Sequence, residues 1–354
     1  MRILHVVASE KWTGAAAVVW DWTQAVARAG VEAELAFVAE SPLARRLASI
    51  GRARPLFSRA HGPIGALKDR RRLRDTLLRE RFDIVHAHLS HDHYLAAAAV
   101  PGTGVRLVRT IHHLDQARRD LASRALLRRT AAVSYANRSI AERCEAQGPV
   151  HSPVVDPAAF APGDKPQALL ARFGVPQGAF VAGTVGKLSR GRGHEEAIDA
   201  AAGVEGTILL HVGKGEHQPA LERRAARLSA ALRNVWTGYQ DRLLPDLYRA
   251  MDVFVFAASG SQQGQRAILE AMASGRPVLA LDVPGVEDLM TDGVEGLVAR
   301  DVPGLARALE RLRQDAALRT RMGEAARRRA LEFTAEEFAA QAIEFYEGVL
   351  QSPE

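Results

Sequence analysis

Leu247–Leu281 decides the fold and reads LYRAMDVFVFAASGSQQGQRAILEAMASGRPVLAL. It contains an apolar run of strand length at Val253–Phe256, a polar turn, a predicted helix at Arg266–Ser274 and a second apolar run at Pro277–Leu281. Two short apolar runs joined by an amphipathic helix are typical of a βαβ unit, whose strands lie parallel in one sheet. The stretch therefore predicts an α/β fold.

The same alternation of strands and helices extends on both sides of this stretch, which predicts further βαβ units. The other predicted strands are Arg2–Ala8, Glu32–Val38, Ile84–His86, Arg106–Ile111, Ala131–Ser134, Phe180–Gly186, Thr207–Val212 and Asn234–Thr237. The other predicted helices are Gly14–Ala29, Ile64–Arg81, Tyr94–Val100, His194–Ala202, Pro219–Ala231 and Leu243–Ala250, followed by a helical tail from Pro303.

Val154–Pro166 separates two such series and has no periodicity. It is rich in proline and small residues, as interdomain linkers are. We therefore predict an N-terminal domain at 1–155, a linker at 156–166 and a second domain at 167–335. A C-terminal helix at 336–354 is expected to pack back toward the N-terminal domain.

Composition favours a globular enzyme over a disordered or coiled-coil protein, since 47% of the 354 residues are hydrophobic and 25% are charged. The net charge of +6 fits an anionic ligand or an anionic membrane surface and does not by itself indicate nucleic acid. A single cysteine, Cys144, cannot form an internal disulfide, which favours a reducing compartment. No apolar run approaches the ~20 residues of a membrane span, and Ile3–Ala8 is too short for a signal peptide. We expect a cytoplasmic protein with possible peripheral membrane contact; the composition predicts no oligomeric state.

Polar, glycine-containing loops follow several predicted strands, where ligands of doubly wound sheets bind. Gly186–His194 combines three glycines and three cations before a helix, which suits a diphosphate; the alternative is a solvated basic turn. Gly213-Lys214-Gly215-Glu216 is a second cationic loop of this kind. A third leads to Glu270, about one turn into its predicted helix. Glu270 is suited to a ligand's hydroxyl pair or, alternatively, to the helix dipole.

Several motifs together resemble the family-four retaining glycosyltransferases, also called glycosyl transferases group 1. The C-terminal motif is the most specific, and the resemblance covers most of the chain. It comprises Leu247–Phe256, Glu270–Val278, Asp292-Gly293 and Gly296–Val298; supporting matches are Gly14, Phe82–His88, Thr110-Ile111-His112 and Val155–Pro162. The resemblance implies the GT-B architecture, in which two Rossmann-like domains with parallel sheets face a central cleft.

The family resemblance also implies roles for individual residues. Lys187 and Arg192 would hold the donor diphosphate, His112 would lie beside the donor sugar, and Glu270 would bind the ribose. The remaining residues implied to bind the donor are Gly14, Gly186, Gly213, Lys214, Gly215, Tyr239, Gln262, Gly264, Gln265 and Arg266. His86 and His88 would lie on the acceptor side.

Three positions depart from the family pattern. Lys187 precedes Arg192 where the family has arginine and then lysine, which exchanges a planar fork and a point charge. Gly14 is a single glycine where two are usual. Gln262 replaces the first of two glutamates, so the site keeps hydrogen-bonding capacity but loses a charge. The change either adapts the site to an anionic or N-acetylated sugar or is simply tolerated.

His86, His88, His91 and His93 cluster with Asp92, and such side chains suit zinc. The family resemblance implies instead that no metal or other cofactor is needed, because cations and helix termini stabilise the leaving diphosphate. We expect His91 and His93 to be solvated at a helix start.

Two basic stretches either contact anionic lipid, hold a phosphorylated acceptor or form solvated helix faces. One is the predicted helix Ile64–Arg81, and the other comprises Arg118, Arg119, Arg124, Arg128 and Arg129. They lack interleaved aromatics and a recognition motif, so nucleic acid is not an expected partner.

The resemblance implies transfer of a sugar from a nucleotide diphosphate donor to an acceptor hydroxyl, with retention of anomeric configuration and no enzymic nucleophile. The expected partners are a sugar nucleotide and a glycan or lipid-linked acceptor, as in the synthesis of cell-envelope polysaccharide or glycolipid. A sugar-nucleotide epimerase and a non-catalytic sugar-nucleotide-binding protein are the alternatives. Gln262 supports the non-catalytic alternative, whereas Lys187, Arg192 and Glu270 oppose it.

Overall fold

The computed structural model describes residues 1–10, 14–47, 52–58, 62–113, 116, 120–144, 148–229, 232–258 and 262–352. The chain divides into two compact units. The N-terminal unit comprises Met1–Ser152 and Ala335–Glu354, and the C-terminal unit comprises Pro153–Thr334. The predicted linker 156–166 lies within the C-terminal unit, and the predicted C-terminal helix 336–354 falls within the N-terminal unit, where the structure has a helix at Ala335–Gln351.

The N-terminal unit contains a six-stranded parallel sheet with the order β3-β2-β1-β4-β5-β6. The chain leaves β1 in one direction for β2 and β3 and returns to its other side at β4, so the topological switch point lies between β1 and β4. The strands are β1 (Arg2–Val7), β2 (Glu32–Val38), β3 (Ala53–Phe57), β4 (Ile84–Ala87), β5 (Arg106–Ile111) and β6 (Ala132–Tyr135).

Helices pack around this sheet because strand residues such as Leu4, Val6, Val85 and Leu107 are fully or almost fully buried. The helices are α1 (Gly14–Arg28), α2 (Pro42–Leu47), α3 (Pro63–Glu80), α4 (Ser90–Ala99), α5 (Leu121–Leu127), α6 (Arg138–Cys144) and, from the end of the chain, α14 (Ala335–Gln351). Helix α14 packs against α1.

The C-terminal unit repeats this architecture with the order β12-β11-β10-β7-β8-β9, and its switch point lies between β7 and β10. The strands are β7 (Phe180–Val185), β8 (Thr207–Val212), β9 (Arg233–Trp236), β10 (Val253–Phe256), β11 (Val278–Leu281) and β12 (Gly296–Ala299). The helices are α7 (Gln167–Arg172), α8 (His194–Ala202), α9 (Gln218–Leu228), α10 (Leu244–Ala250), α11 (Gln262–Ala273), α12 (Val302–Gln314) and α13 (Ala316–Ala330).

Two predicted helix starts were four residues too late. Helix α4 begins at Ser90 and not at Tyr94. Helix α11 begins at Gln262 and not at Arg266. Glu270 is therefore the ninth residue of α11 and not about one turn in. The favourable effect of the helix dipole on a carboxylate is confined to the first turn, so it does not explain a glutamate at this position. Gln262–Gln265 supply the first-turn backbone N–H groups instead.

Arginine side chains hold the segment 157–163 against the body of the C-terminal unit. Arg327 Nη1 donates to the carbonyls of Pro157 (3.0 Å), Phe160 (3.2 Å) and Ala273 (2.7 Å). Arg276 Nη2 donates to the Gly163 carbonyl at 3.3 Å. The segment that sequence identified as a linker is thus tied to its unit through its own backbone.

No helix in the described ranges combines sufficient length with sufficient apolar character to cross a bilayer.

Candidate functional site

The loops that follow β7, β8 and β9 are joined to one another by backbone hydrogen bonds. The Gly186 N–H donates to the Val212 carbonyl at 3.0 Å, and the Leu188 N–H donates to the Lys214 carbonyl at 3.1 Å. The Gly213 N–H donates to the Gly238 carbonyl at 2.9 Å. These loops therefore form one continuous backbone surface at the carboxyl edge of the sheet, which is where doubly wound folds bind ligands.

Glycine is required where these loops approach each other most closely. A Cβ atom on Gly213 would lie 1.9 Å from the carbonyl oxygen of Gly186, and one on Gly215 would lie 2.1 Å from that of Leu188. Gly193 has φ +78°, and a Cβ there would lie 2.4 Å from the carbonyl carbon of Ala257 at the end of β10. The contact between Gly193 and Ala257 brings the loops after β7 and β10 together at the switch point.

A cavity of about 680 Å³ lies against the same loops. Its size is within the range typical of small-molecule sites. Lys214 Nζ lies 5.5 Å from the centre of the Tyr239 ring, and the Tyr239 side chain is exposed. The cavity is lined by Val185, Gly186, Lys187, Val212, Gly213, Lys214, Gly215, Tyr239, Gln240, Asp241 and Leu244.

The Lys187 side chain is exposed and pairs with Glu216, with Nζ 3.1 Å from Oε2. The Glu216 backbone N–H and then Lys187 lower the pKa of Glu216. Exposed pairs of this kind contribute little free energy, so an anionic ligand can replace the carboxylate as the partner of Lys187. Arg192 lies on the same loop and is half-buried, two residues before α8 begins.

Glu270 is a buried carboxylate held by two neighbours. Tyr248 donates its hydroxyl to Oε2 at 2.9 Å, and Arg266 Nε donates to Oε1 at 3.1 Å. Tyr248 is fully buried. Its burial, and to a smaller extent the Glu270 charge, raise the pKa of Tyr248 well above the usual range. The hydroxyl therefore keeps its proton and remains a donor. The carboxylate orientation is therefore set from α10 and from α11 itself.

The beginning of α11 carries the remaining predicted donor contacts. Gln265 is buried, and its Oε1 has no hydrogen-bond partner among the described residues. A buried oxygen without a partner costs about 1–3 kcal/mol, so this oxygen is available to a ligand donor. Gly264 lies in the first turn of α11. The side chain of Gln262 lies outside the described part of the structure.

In the N-terminal unit, three buried histidines form a hydrogen-bonded series that ends at the predicted site residue His112. His5 Nδ1 lies 3.0 Å from His88 Nε2, and His88 Nδ1 lies 3.1 Å from His112 Nε2. The His112 backbone N–H donates to Gln116 Oε1 at 3.0 Å. Gly14 is the first residue of α1, which follows β1 at the switch point of this sheet, and the adjacent Thr13 lies outside the described residues.

His86 belongs to a second series, because its Nδ1 lies 2.8 Å from the Tyr346 hydroxyl and its Nε2 lies 2.7 Å from Thr110 Oγ1. His86 and His88 have no exposed surface, so their acceptor-side role stays a prediction and would act through neighbours. Burial lowers the pKa of His5 to about 3 and those of His86 and His88 well below the usual range.

Ring nitrogens of His5, His86 and His88 lie within 4.8 Å of one another, as ligands of a metal ion would. The rings of His86 and His88, however, stack with their centres 4.1 Å apart. Since imidazole lone pairs lie in the ring plane, those of two stacked rings do not converge on one ion. His86 and His88 use both ring nitrogens in hydrogen bonds, whereas His5 Nε2 has no hydrogen-bond partner among the described residues.

The structure separates the other members of the predicted histidine cluster. His91 is exposed, as expected. The prediction that His93 is solvated was wrong, because His93 is buried and its Nε2 lies 2.7 Å from Thr130 Oγ1. Asp92 instead accepts the backbone N–H groups of Ala8 (2.7 Å) and Leu89 (2.9 Å), and burial raises its pKa to about 7.

Comparison with known families agrees with this arrangement of strand-end loops. Residues 12–155 match the model of Glycosyltransferase Family 4, and residues 179–315 match that of Glycosyl transferases group 1. The chain belongs to the family 4, group 1 glycosyltransferases. The family predicted from the motifs is therefore confirmed.

Two curated relatives illustrate the similarity of this glycosyltransferase family member to known proteins. It is 35% identical over 156 residues to a lipopolysaccharide core biosynthesis glycosyltransferase of Rhizobium meliloti, covering 44% of this chain and 45% of the relative. It is 27% identical over 308 residues to a D-inositol 3-phosphate glycosyltransferase of Streptomyces avermitilis, covering 77% and 66%. The chain spans about half the length of several curated relatives it matches.

Solved structures share the fold over nearly the whole chain. The Anabaena protein HepE in complex with UDP superposes with a TM-score of 0.84 at 20% identity, covering 98% of this chain and 100% of HepE. A glycosyltransferase from Rickettsia africae superposes with a TM-score of 0.84 at 16% identity, covering 99% of each chain. The GT-B fold class predicted from the sequence is thus confirmed.

Sequence reasoning assigned no role to Tyr248, His194 or His5, although all three lie beside predicted site residues. Tyr248 falls within the matched motif, and His194 begins α8 directly after the glycine-rich loop. Both positions could therefore have been identified from the sequence as candidates for the site. His5 carried no such signal, because a histidine within an apolar strand does not reveal its partner.

Proposed function

We propose that this protein transfers a sugar from a nucleotide diphosphate donor to an acceptor hydroxyl. The observation that carries the proposal is that the segments following the strands of one sheet carry joined glycine loops, the cation of Lys187 and, on α11 after β10, the buried carboxylate of Glu270. A nucleoside diphosphate matches these features: its phosphates suit the backbone N–H groups of the loops and the Lys187 cation, and its ribose diol suits the Glu270 carboxylate.

The leaving diphosphate would be stabilised by charge and by helix N-termini, without a bound metal. Lys187 exchanges Glu216 for a phosphate oxygen, Arg192 adds a second cation, and the first turns of α8 and α11 supply backbone N–H groups. Such preorganised donors stabilise the negative charge that develops on the departing group. The nucleoside would lie in the cavity beside Tyr239, with the ribose hydroxyls donating to Glu270.

We further propose that the anomeric configuration is retained. Attack by the acceptor on the face that the diphosphate leaves lets a donor phosphate oxygen take the acceptor proton, so no enzymic nucleophile is required. Tyr248 and Arg266 donate to the two oxygens of the Glu270 carboxylate, which supports a ribose-binding role over that of a nucleophile. His112 would lie beside the sugar and orient it.

The acceptor is proposed to be a cell-envelope glycan or a lipid-linked sugar. Similarity to a lipopolysaccharide core biosynthesis enzyme supports this class. Helix α3 exposes basic side chains such as Lys68 and Arg71 together with the apolar Ile64 and Leu67, which supports peripheral contact with anionic lipid on the cytoplasmic side. Sedimentation with anionic and neutral liposomes tests this contact, and equal pelleting with both would contradict it.

The central experiment is a thermal-shift screen of UDP-, GDP-, ADP- and TDP-sugars, followed by product analysis of those that bind. A bound ligand raises the melting temperature by mass action. Release of nucleoside diphosphate with an acceptor-linked sugar is expected. Isomerised sugar nucleotide in the absence of acceptor would identify an epimerase. Binding without turnover across a broad acceptor panel would identify a non-catalytic protein.

A further inference from the structure

A buried series of polar side chains lies beneath the loop that carries Lys187. His194 Nε2 lies 3.2 Å from the Lys187 carbonyl oxygen, and His194 Nδ1 lies 3.2 Å from Thr184 Oγ1. Thr184 Oγ1 also lies 3.2 Å from His211 Nδ1, and His211 Nε2 lies 2.9 Å from Asn234 Oδ1. The series thus runs from β9 through β8 and β7 to the loop.

The Lys187 end fixes the direction of every hydrogen bond in the series. A carbonyl oxygen only accepts, so His194 Nε2 carries the hydrogen. Burial lowers the pKa of His194 to about 4; the hydrogen bond to the Lys187 carbonyl opposes this shift, and the charge of Arg192 adds to it. The ring is therefore neutral at pH 7. His194 Nδ1 is then an acceptor, and the Thr184 hydroxyl must donate to it.

Thr184 has a single hydroxyl hydrogen, which the bond to His194 uses. Its oxygen must therefore accept from His211, which places the His211 hydrogen on Nδ1. His211 Nε2 then accepts, so the Asn234 amide must be turned to present Nδ2 in place of Oδ1. The turn gives up only the long 3.5 Å contact between Asn234 Nδ2 and the Leu232 carbonyl. The two orientations of an asparagine amide have nearly the same shape, so the hydrogen-bond logic decides between them. Trp236 stacks on His211 at 3.9 Å and holds its ring plane.

We propose that His194 is a positioning residue for the phosphate-binding loop, and that Thr184, His211 and Asn234 fix it in the tautomer that donates to Lys187. The proposal rests on the proposed function only in naming a diphosphate as the ligand. The loop is held by the backbone hydrogen bonds of Gly186 and Leu188 and by the approach of Gly193 to Ala257. His194 adds a side-chain contact to the Lys187 carbonyl, which also accepts the Ser189 N–H at 2.9 Å. The Lys187 side chain consequently starts from a peptide of fixed orientation.

The tautomers are measured directly by long-range ¹H–¹⁵N correlation spectra of protein labelled with [¹⁵N]histidine at pH 7. We expect His194 to be protonated at Nε2 alone and His211 at Nδ1 alone, with assignments from His194→Gln and His211→Gln. A doubly protonated His194, or a His211 protonated at Nε2, would overturn the proposed series whether or not the protein is a transferase.

The positioning role is tested by calorimetric titration with UDP, or with GDP or ADP if the wild type binds one of those instead. His194→Phe keeps a ring but has no donor, and we expect it to weaken nucleoside diphosphate binding about tenfold, a typical loss for one buried hydrogen bond. His194→Gln keeps an N–H of similar reach and should stay within about threefold of the wild type.

Two controls separate positioning from a general loss of structure. His217 lies near the same loop but bonds Glu195 at 2.7 Å, so His217→Gln should leave the affinity unchanged. The matching nucleoside lacks phosphates, and His194→Phe should leave its affinity unchanged. Equal weakening of nucleoside and nucleoside diphosphate, or wild-type diphosphate affinity in His194→Phe, would overturn the positioning role. If the wild type binds no nucleoside diphosphate, the proposed function fails, and the tautomer measurement alone decides the series.

Discussion

Replacing Tyr248 with phenylalanine removes one hydroxyl from the interior of the C-terminal unit. The aromatic contacts of Tyr248 with Phe160 and Phe254 remain, because phenylalanine keeps the ring. The substitution deletes the donor that lies 2.9 Å from Glu270 Oε2. Glu270 is only 7% exposed, so water replaces the lost donor poorly.

The expected effect follows from the charge of the acceptor. A buried hydrogen bond to a charged group contributes about 1.5–3 kcal/mol, so the free energy of unfolding of the C-terminal unit should fall by about that amount. Glu270 would keep Arg266 as its partner but lose the contact that fixes Oε2. UDP, or the nucleoside diphosphate that the wild type prefers, should bind about five- to tenfold more weakly, or about 1–1.4 kcal/mol.

The assay combines urea unfolding with calorimetric titration, and Tyr346→Phe is the matched control. Tyr346 is also fully buried, but its hydroxyl bonds the neutral His86 in the other unit. The control should be destabilised yet bind nucleoside diphosphate normally. If Tyr248→Phe binds with wild-type affinity while Glu270→Gln does not, then the phenol does not orient the carboxylate and the reasoning is refuted.

Three further predictions concern the loops and the buried histidines. Arg192→Ala should lower kcat about 100-fold or more, because it removes a cation that would contact the diphosphate. Arg190→Ala, at an exposed position of the same loop, should change kcat little. Nearly intact activity in Arg192→Ala would disprove the assigned site. Gly213→Ala should destabilise the C-terminal unit by at least about 1–3 kcal/mol in urea unfolding, because its Cβ would lie 1.9 Å from a backbone oxygen. Burial lowers the pKa of His5 to about 3, so between about pH 6.5 and 3 the unfolded state binds a proton that the folded state does not. The free energy of unfolding should therefore fall as the pH drops through this range. His5 alone should account for about 2 kcal/mol of the loss at pH 5. Urea unfolding at each pH, followed by tryptophan fluorescence to which Trp22 beside His86 contributes, would measure this loss. A free energy of unfolding that does not change between pH 7 and 5 would contradict the prediction.

The buried strands of the fold were predictable from local sequence. Thr207–Val212 was predicted with its observed limits because four of its six residues are apolar and form a run of strand length. Strand β3 was missed: it contains Arg54 and Pro55, which an edge strand tolerates and an interior strand does not. The start of α11 was missed because its first turn, QQGQ, lacks apolar residues and contains glycine, so the helical pattern only appears from Arg266.

Site chemistry was predictable only as far as it depends on residues near a strand end. Lys187 and Gly213 were found because each directly follows an apolar run, and a parallel sheet brings such ends to one edge. The burial of His93 was not predictable, because it depends on Thr130, 37 residues later. Sequence reveals that a polar residue is at a helix start, but not which distant segment covers it.

The same distinction explains why Glu270 was found and its geometry was not. Arg266 lies four residues before Glu270 on one helix, a spacing that brings side chains together and can be read from the sequence. Tyr248 lies on a different helix, and its contact depends on the packing of α10 beside α11, which no local pattern specifies. Each carboxylate oxygen has a donor of its own, and Glu270 is only 7% exposed. In the proposed complex the ribose hydroxyls would donate to oxygens that already accept from Tyr248 and Arg266, so the effect of removing the Tyr248 hydroxyl on affinity measures how far ribose binding depends on a fixed carboxylate.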